Sequence, residues 1–153
     1  MEILRHTQNL TVAEHGHGNC YQATLACLLN LPMHKVPDFA LWFNKPVLKN
    51  YNWFNLTQDW LREYHQVKEA SAPLLTQYHR GTRKEFPADF LNIPYMVSGK
   101  SPRGNFYHVV IYMNGEMIHD VHPDGTGVII GTDVDCSYLK PLTEEEINKP
   151  EII

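Results

Sequence analysis

Cys20 stands where a loop rich in glycine and histidine, HGHGN, gives way to an apolar segment, CYQATLACLLNLP. Ala23, Cys27, Leu28 and Leu31 recur at helical spacing, Asn19 is a good N-cap, and Pro32 ends the segment. The pattern predicts a buried helix over 20–31 with Cys20 at its first position. A helix start carries a partial positive charge and backbone N–H groups without intrahelical partners. Both favour a thiolate, and the same N–H groups can hold an oxyanion. The position therefore suits acyl transfer, with a packed structural thiol and a metal ligand as the plainer roles. Cys27 lies inside the helix without those advantages and is read as core.

A nucleophilic cysteine needs a base and a group that orients the base. Of the nine histidines, His34, His65 and His79 lie in polar surroundings and are read as surface residues. His108 differs, because it sits in NFYHVVIYM among strand-forming apolar neighbours. Asn114-Gly115 is a strong hairpin signal, and the returning strand brings His119 and Asp120 back towards His108. A two-residue loop sets Val110 opposite His119, which then shares the face of His108. A three-residue loop over 113–115 sets His108 opposite Asp120 instead. A carboxylate holds one imidazole tautomer and stabilises the imidazolium, so Asp120 is the expected orienter and His119 the alternative. Asp120 and Asp124 could equally do no more than shape the turn in DVHPDGTG.

The elements that must position these residues fall into two kinds. Helices are predicted over 20–31, 37–44 and 57–67, the last capped by Thr57. Trp42, Phe43, Tyr51, Trp53 and Phe54 form an aromatic patch read as core. Strands are predicted over 93–98, 106–113 and 116–121, with shorter ones over 128–130 and 137–139. Helices followed by a meander of strands give an α+β fold rather than alternating βαβ units. The tail TEEEINKPEII reads as an acidic helical turn with Thr143 as its cap. With 153 residues, 43% of them apolar, the chain reads as one domain over 1–153.

A net charge of −4 without a basic block gives no sign of nucleic-acid binding. No run approaches the about 18 apolar residues of a membrane helix, and the opening MEILRHTQNL is not a secretory signal, so a cytoplasmic location is expected. Three cysteines, with no Cys-x-x-Cys pair, argue against both a disulfide framework and a zinc ribbon.

Two blocks carry a resemblance. GNCYQATLACLLNLPMHKVPDF is similar to the G-[DN]-C-x-x-[AT]-x-[AL]-x-x-L-x-L-P-x-x-x-V-P-x-F opening of small bacterial and phage members of the papain-like cysteine peptidase superfamily. HVVIYMNGEMIHDVHPDG resembles their H-x-V-[VI] strand and the I-H-D-P-H-P segment after it. Bacteriocin leader peptidases and cell-wall endopeptidases also show cysteine, histidine and a polar residue in this order. The resemblance implies a papain-like domain with a central helix packed on an antiparallel sheet. It implies a hydrolase that needs no cofactor or metal, with Cys20, His108 and Asp120 as its triad and a peptide or other amide as substrate, a host protein among the candidates. Val121 stands where the family often has proline, and Glu14 stands where the oxyanion glutamine usually sits. Gln8 is the residue expected to take that role, while Gln22 is expected on the helix surface. Two rivals remain: a zinc site built from His15, His17, Cys20, His119, Asp120 and His122, and a papain-like binding or inhibitory module without turnover. The basic loop KSPRGN over 100–105 fits a lid, a partner contact or a plain surface loop.

Overall fold

The structure, a computed structural model, describes residues 3, 5–8, 19–38 and 53–148. The helix expected over 37–44 lies almost wholly outside those residues, as do Trp42, Phe43, Tyr51, His15 and His17. The chain falls into two compact units, one from 1–38 and 71–138 and the other from 39–70 and 139–153. The fold is α+β, with strands in the order β1-β5-β2-β3-β4, and each pairing whose register is described is antiparallel. The strands are β1 (Val67–Ser71), β2 (Tyr95–Lys100), β3 (Tyr107–Met113), β4 (Glu116–His119) and β5 (Asp135–Pro141). The helices are α1 (Cys20–Leu29), α2 (Trp53–His65), α3 (Pro73–Arg80) and α4 (Glu144–Asn148).

In the first unit β3 is covered on both sides, which is why HVVIYM reads as an unbroken apolar run rather than an alternation. Val110 joins Tyr95, Val97, Leu75 of α3, Val134 and Cys136 in one core cluster. Ile111, one residue on and therefore facing the other way, joins Ala23 and Cys27 of α1 and Val121 in a second. Helix α1 thus packs on the sheet as the apolar pattern requires. It ends at Asn30, whose left-handed conformation (φ 55°) lets its N–H reach back to the last turn, two residues before Pro32.

Helix α3 falls outside the expected elements, although PLLTQYHRG carries a proline at the first helical position and a left-handed glycine, Gly81 (φ 84°), just past the end. It corrects the reading of His79 as a surface residue. The His79 Nε2 atom lies 2.7 Å from the hydroxyl of the fully buried Tyr95, and the ring packs edge-on to Tyr78 and Tyr112. Residues 128–130 form no strand; Ile129 only donates its N–H to the Lys100 carbonyl at 2.9 Å. The strand expected over 137–139 is the middle of β5.

In the second unit α2 begins a turn earlier than expected, so Thr57 is a fully buried residue inside the helix and not its cap. The helix stops at His65 because Gln66 is left-handed (φ 53°), and Val67 already belongs to β1. That strand, VKEAS, has no apolar alternation to announce it. Thr143 does cap α4: its hydroxyl accepts the Glu146 N–H while the Glu146 carboxylate accepts the Thr143 N–H, both at 3.2 Å. The Lys68 ammonium reaches the same Glu146 side chain at 2.6 Å. No helix among the described residues is long and apolar enough to cross a membrane.

Candidate active site

Cys20 is the first residue of α1 and is partly exposed, whereas Cys27 and Cys136 are buried. Asn19 occupies the N-cap position, but its side chain makes no cap bond; its amide donates instead to the Gln22 side chain at 2.9 Å. The cap residue therefore leaves the first-turn N–H groups to other acceptors. Gln22, expected on the surface, is half-buried and donates to the Val36 carbonyl at 2.7 Å, fastening α1 to the turn beyond its C-terminus.

His108 is the second residue of β3, with only 3% of its side chain exposed. Its Nε2 lies 2.7 Å from Asp120 Oδ1, and Asp120 is 1% exposed. Cys20 lies close enough to the ring to act on its titration, and with Nε2 given to Asp120 the nitrogen open to a second partner is Nδ1. Burial pushes the His108 pKa down. The bonds to Asp120 and Cys20, and the charges of both, outweigh it and push the pKa up to about 9. Asp120 shows the complementary balance. Burial raises its pKa, while bonds from His108, His122 and Gly127 hold it below the ordinary carboxylate value. The centre is thus arranged to hold an imidazolium between a thiol and a carboxylate.

The hairpin reaches this arrangement by a route that neither simple register describes. Asn114 (φ 53°) and Gly115 (φ 86°) make a two-residue loop, with Met113 opposite Glu116 and Tyr112 opposite Met117. The register then slips: Ile111 pairs with His119, leaving Ile118 as a β-bulge. The extra residue reverses the facing of everything after it, so Asp120 comes onto the His108 face and His119 leaves it. His119 instead donates from Nε2 to the His6 carbonyl at 2.6 Å, and does not orient His108.

Residues 5–8 are bonded to α1, β4 and the segment after it, an arrangement with no periodicity in the sequence to reveal it. The His6 N–H donates to Cys27 Sγ at 3.2 Å, and the His6 ring reaches the Leu31 carbonyl at 2.7 Å. Arg5 donates to the Ile118 carbonyl. The Gln8 N–H donates to the Val121 carbonyl at 2.7 Å, so the buried Gln8 is anchored one residue past Asp120.

The turn after Asp120 also bonds to the site, a segment for which the sequence offered turn-making at Asp124 and a rival metal ligand at His122. Asp120 Oδ1 accepts the His122 N–H at 2.9 Å, and Oδ2 accepts the Gly127 N–H at 2.7 Å. Gly127 is left-handed (φ 74°), the conformation in which this N–H turns back to the carboxylate. The His122 ring stands edge-on to His108 with centroids 6.1 Å apart. Among the described residues no group of three or more His, Cys, Asp or Glu side chains converges as a metal site.

Comparison of the chain with protein-family models, with curated proteins and with solved structures gave no match.

Proposed function

We propose that the chain is a cysteine-dependent hydrolase of papain-like type that cleaves a peptide or other amide bond. The observation that carries this reading is the buried His108 ring, bonded to Asp120 through Nε2, with a partly exposed cysteine at a helix start near enough to act on its titration. In the mechanism, Cys20 Sγ attacks the acyl carbon as a thiolate, the proton already resting on His108 as the imidazolium. The oxyanion so formed is held by the Cys20 backbone N–H, with the Gln8 amide as second donor. The tetrahedral adduct collapses as His108 returns the proton to the leaving amine, which departs and leaves a thioester. His108 then takes a proton from water, the hydroxide adds to the thioester carbon, and the acid product leaves as the Cys20 thiolate is expelled beside the His108 imidazolium. Asp120 keeps the imidazole in the tautomer with hydrogen on Nε2 and offsets its charge throughout.

The test is alkylation by iodoacetamide at pH 6, followed by mass mapping of the three cysteines. Burial pushes the thiol of Cys27 up and that of Cys136 up to about 12, so neither competes. Selective labelling of Cys20 that slows at least ten-fold in His108→Ala supports an activated pair. A Cys20 that reacts at the same rate in both proteins overturns it. A pair that is activated yet forms no thioester with any activated acyl ester supports the binding module in place of the hydrolase.

A further inference from the structure

The basic loop over 100–105 does not stand away from the protein. Ser101 donates its N–H to the Phe106 carbonyl at 2.9 Å and accepts the Arg103 N–H at 3.1 Å, closing the loop on itself. The Arg103 side chain is only 17% exposed. One nitrogen, Nη1, bridges Asp124 Oδ1 at 3.2 Å and Thr126 Oγ1 at 2.8 Å. Asp124 Oδ1 also accepts the N–H of Thr126 at 3.0 Å and its hydroxyl at 2.9 Å. The adjoining main-chain N–H, that of Gly127, is the donor to Asp120 Oδ2.

We propose that Arg103 is a positioning residue for the candidate triad: by clamping the 124–126 turn it aims the Gly127 N–H at Asp120, and so fixes the carboxylate on His108. The inference rests on the Cys20–His108–Asp120 reading. Its reach is longer than a surface ion pair, because every bond from Arg103 to the His108 ring is present and the two inner residues are almost wholly buried. It also explains why a loop of such polar composition lies against the turn beyond Asp120. Arg103 touches neither Cys20 nor His108 in any bond described, so its part is played through Asp120.

The sign of one shift separates this role from a simple electrostatic one. Removing a nearby cation makes a histidine easier to protonate and raises its midpoint. Loosening its carboxylate partner lowers it. The experiment follows the His108 ring by NMR from pH 5 to pH 10 in the whole chain, its signal identified by loss in His108→Gln. In Arg103→Met, which keeps most of the apolar stem, the midpoint falls by on the order of one pH unit, and the downfield Nε2–H resonance broadens. Arg103→Lys restores most of both, since a single nitrogen suffices for the bridge. Lys100→Met, which breaks the exposed pair with Asp133, does not lower the midpoint. A midpoint in Arg103→Met that stays or rises overturns the proposal, whatever happens to Tm. If Arg103→Met does not fold, Thr126→Val removes one acceptor of the clamp and is read the same way. Failure of the hydrolase reading shows elsewhere, in a Cys20 whose reactivity ignores His108, and leaves the ring titration free to decide on Arg103.

Discussion

Replacing Asp120 by asparagine removes a charge while keeping the shape, and the hydrogen bonds around it fix the consequence. The carboxylate serves three donors: His108 Nε2, the His122 N–H and the Gly127 N–H. An amide has one oxygen to offer. Placed at Oδ1, that oxygen keeps His108 and His122 but turns the NH2 towards the Gly127 N–H. Placed at Oδ2, it keeps Gly127 but points a donor at His108, which then holds its proton on Nδ1 and cannot accept from Cys20. Either way the charge that offsets burial is gone. In the wild type the His108 pKa stands at about 9 against an ordinary 6.5, a difference equivalent to roughly 3 kcal/mol in favour of the imidazolium. With Asp120's share gone and only Cys20 left to oppose burial, the midpoint in Asp120→Asn falls. At pH 7 the charged fraction drops with it. A ring titration by NMR reads this directly, and Cys20 alkylation at pH 7 slows with it. Cys20→Ala also lowers the midpoint, since Cys20 helps to hold it up. A midpoint in Asp120→Asn that remains at about 9 would refute the part given to Asp120.

Further outcomes can be checked by standard means. His119→Ala leaves the His108 midpoint where it was, because His119 bonds the His6 carbonyl, but lowers Tm by loosening the N-terminal segment; a midpoint shift as large as that of Asp120→Asn would restore His119 as orienter. Gly127→Ala places a Cβ at positive φ and 3.2 Å from the Met117 sulfur, costing about 1–2 kcal/mol in denaturant unfolding, and lowers the His108 midpoint as its N–H swings off Asp120. His79→Ala removes a hydrogen-bond partner from the hydroxyl of a fully buried tyrosine and costs about 1–3 kcal/mol, while adding Tyr95→Phe to it recovers part of that loss. Stability has a definite pH shape: the raised His108 contributes its full share below about 6.5, and that share is lost as pH rises through about 9. Asp120, held low, contributes above the ordinary carboxylate range and loses its share as pH falls below it. Urea midpoints from pH 4 to pH 10 should therefore show a plateau between about pH 5 and pH 6.5, with a fall through neutrality towards pH 9 that is flattened in Asp120→Asn.

The residues at the centre are legible in the sequence because each rests on a strong local signal. A cysteine follows a good cap into an apolar helix, a histidine opens a buried strand, and Asn-Gly returns the chain to it. The illegible parts depend on counts and on distant backbone. The bulge at Ile118 adds one residue without any glycine or proline to mark it, so Asp120 does face His108 while the three-residue loop expected to bring it there does not form. β1 escapes notice because VKEAS is half-buried and nearly featureless, with no alternation for the pattern to catch. α3 has both its end signals, Pro73 and Gly81, but its eight residues make only about two turns and hold one fully buried side chain. The stitching of residues 5–8 uses main-chain groups and two histidine rings, which composition and periodicity do not report.

The bulge also makes the site sensitive to a kind of change that substitutions cannot imitate. Deleting Ile118 would restore the plain two-residue hairpin and exchange the partners of the base in one step. His119 would turn towards His108, and Asp120 would turn to the opposite face, where His6 and Cys27 now lie. The acidic character of the centre is therefore encoded in the length of the chain between two turns as much as in the presence of an aspartate. Related hairpins that differ by a single gap here would carry the same letters and different chemistry. Aligning them by residue type alone would conceal the difference.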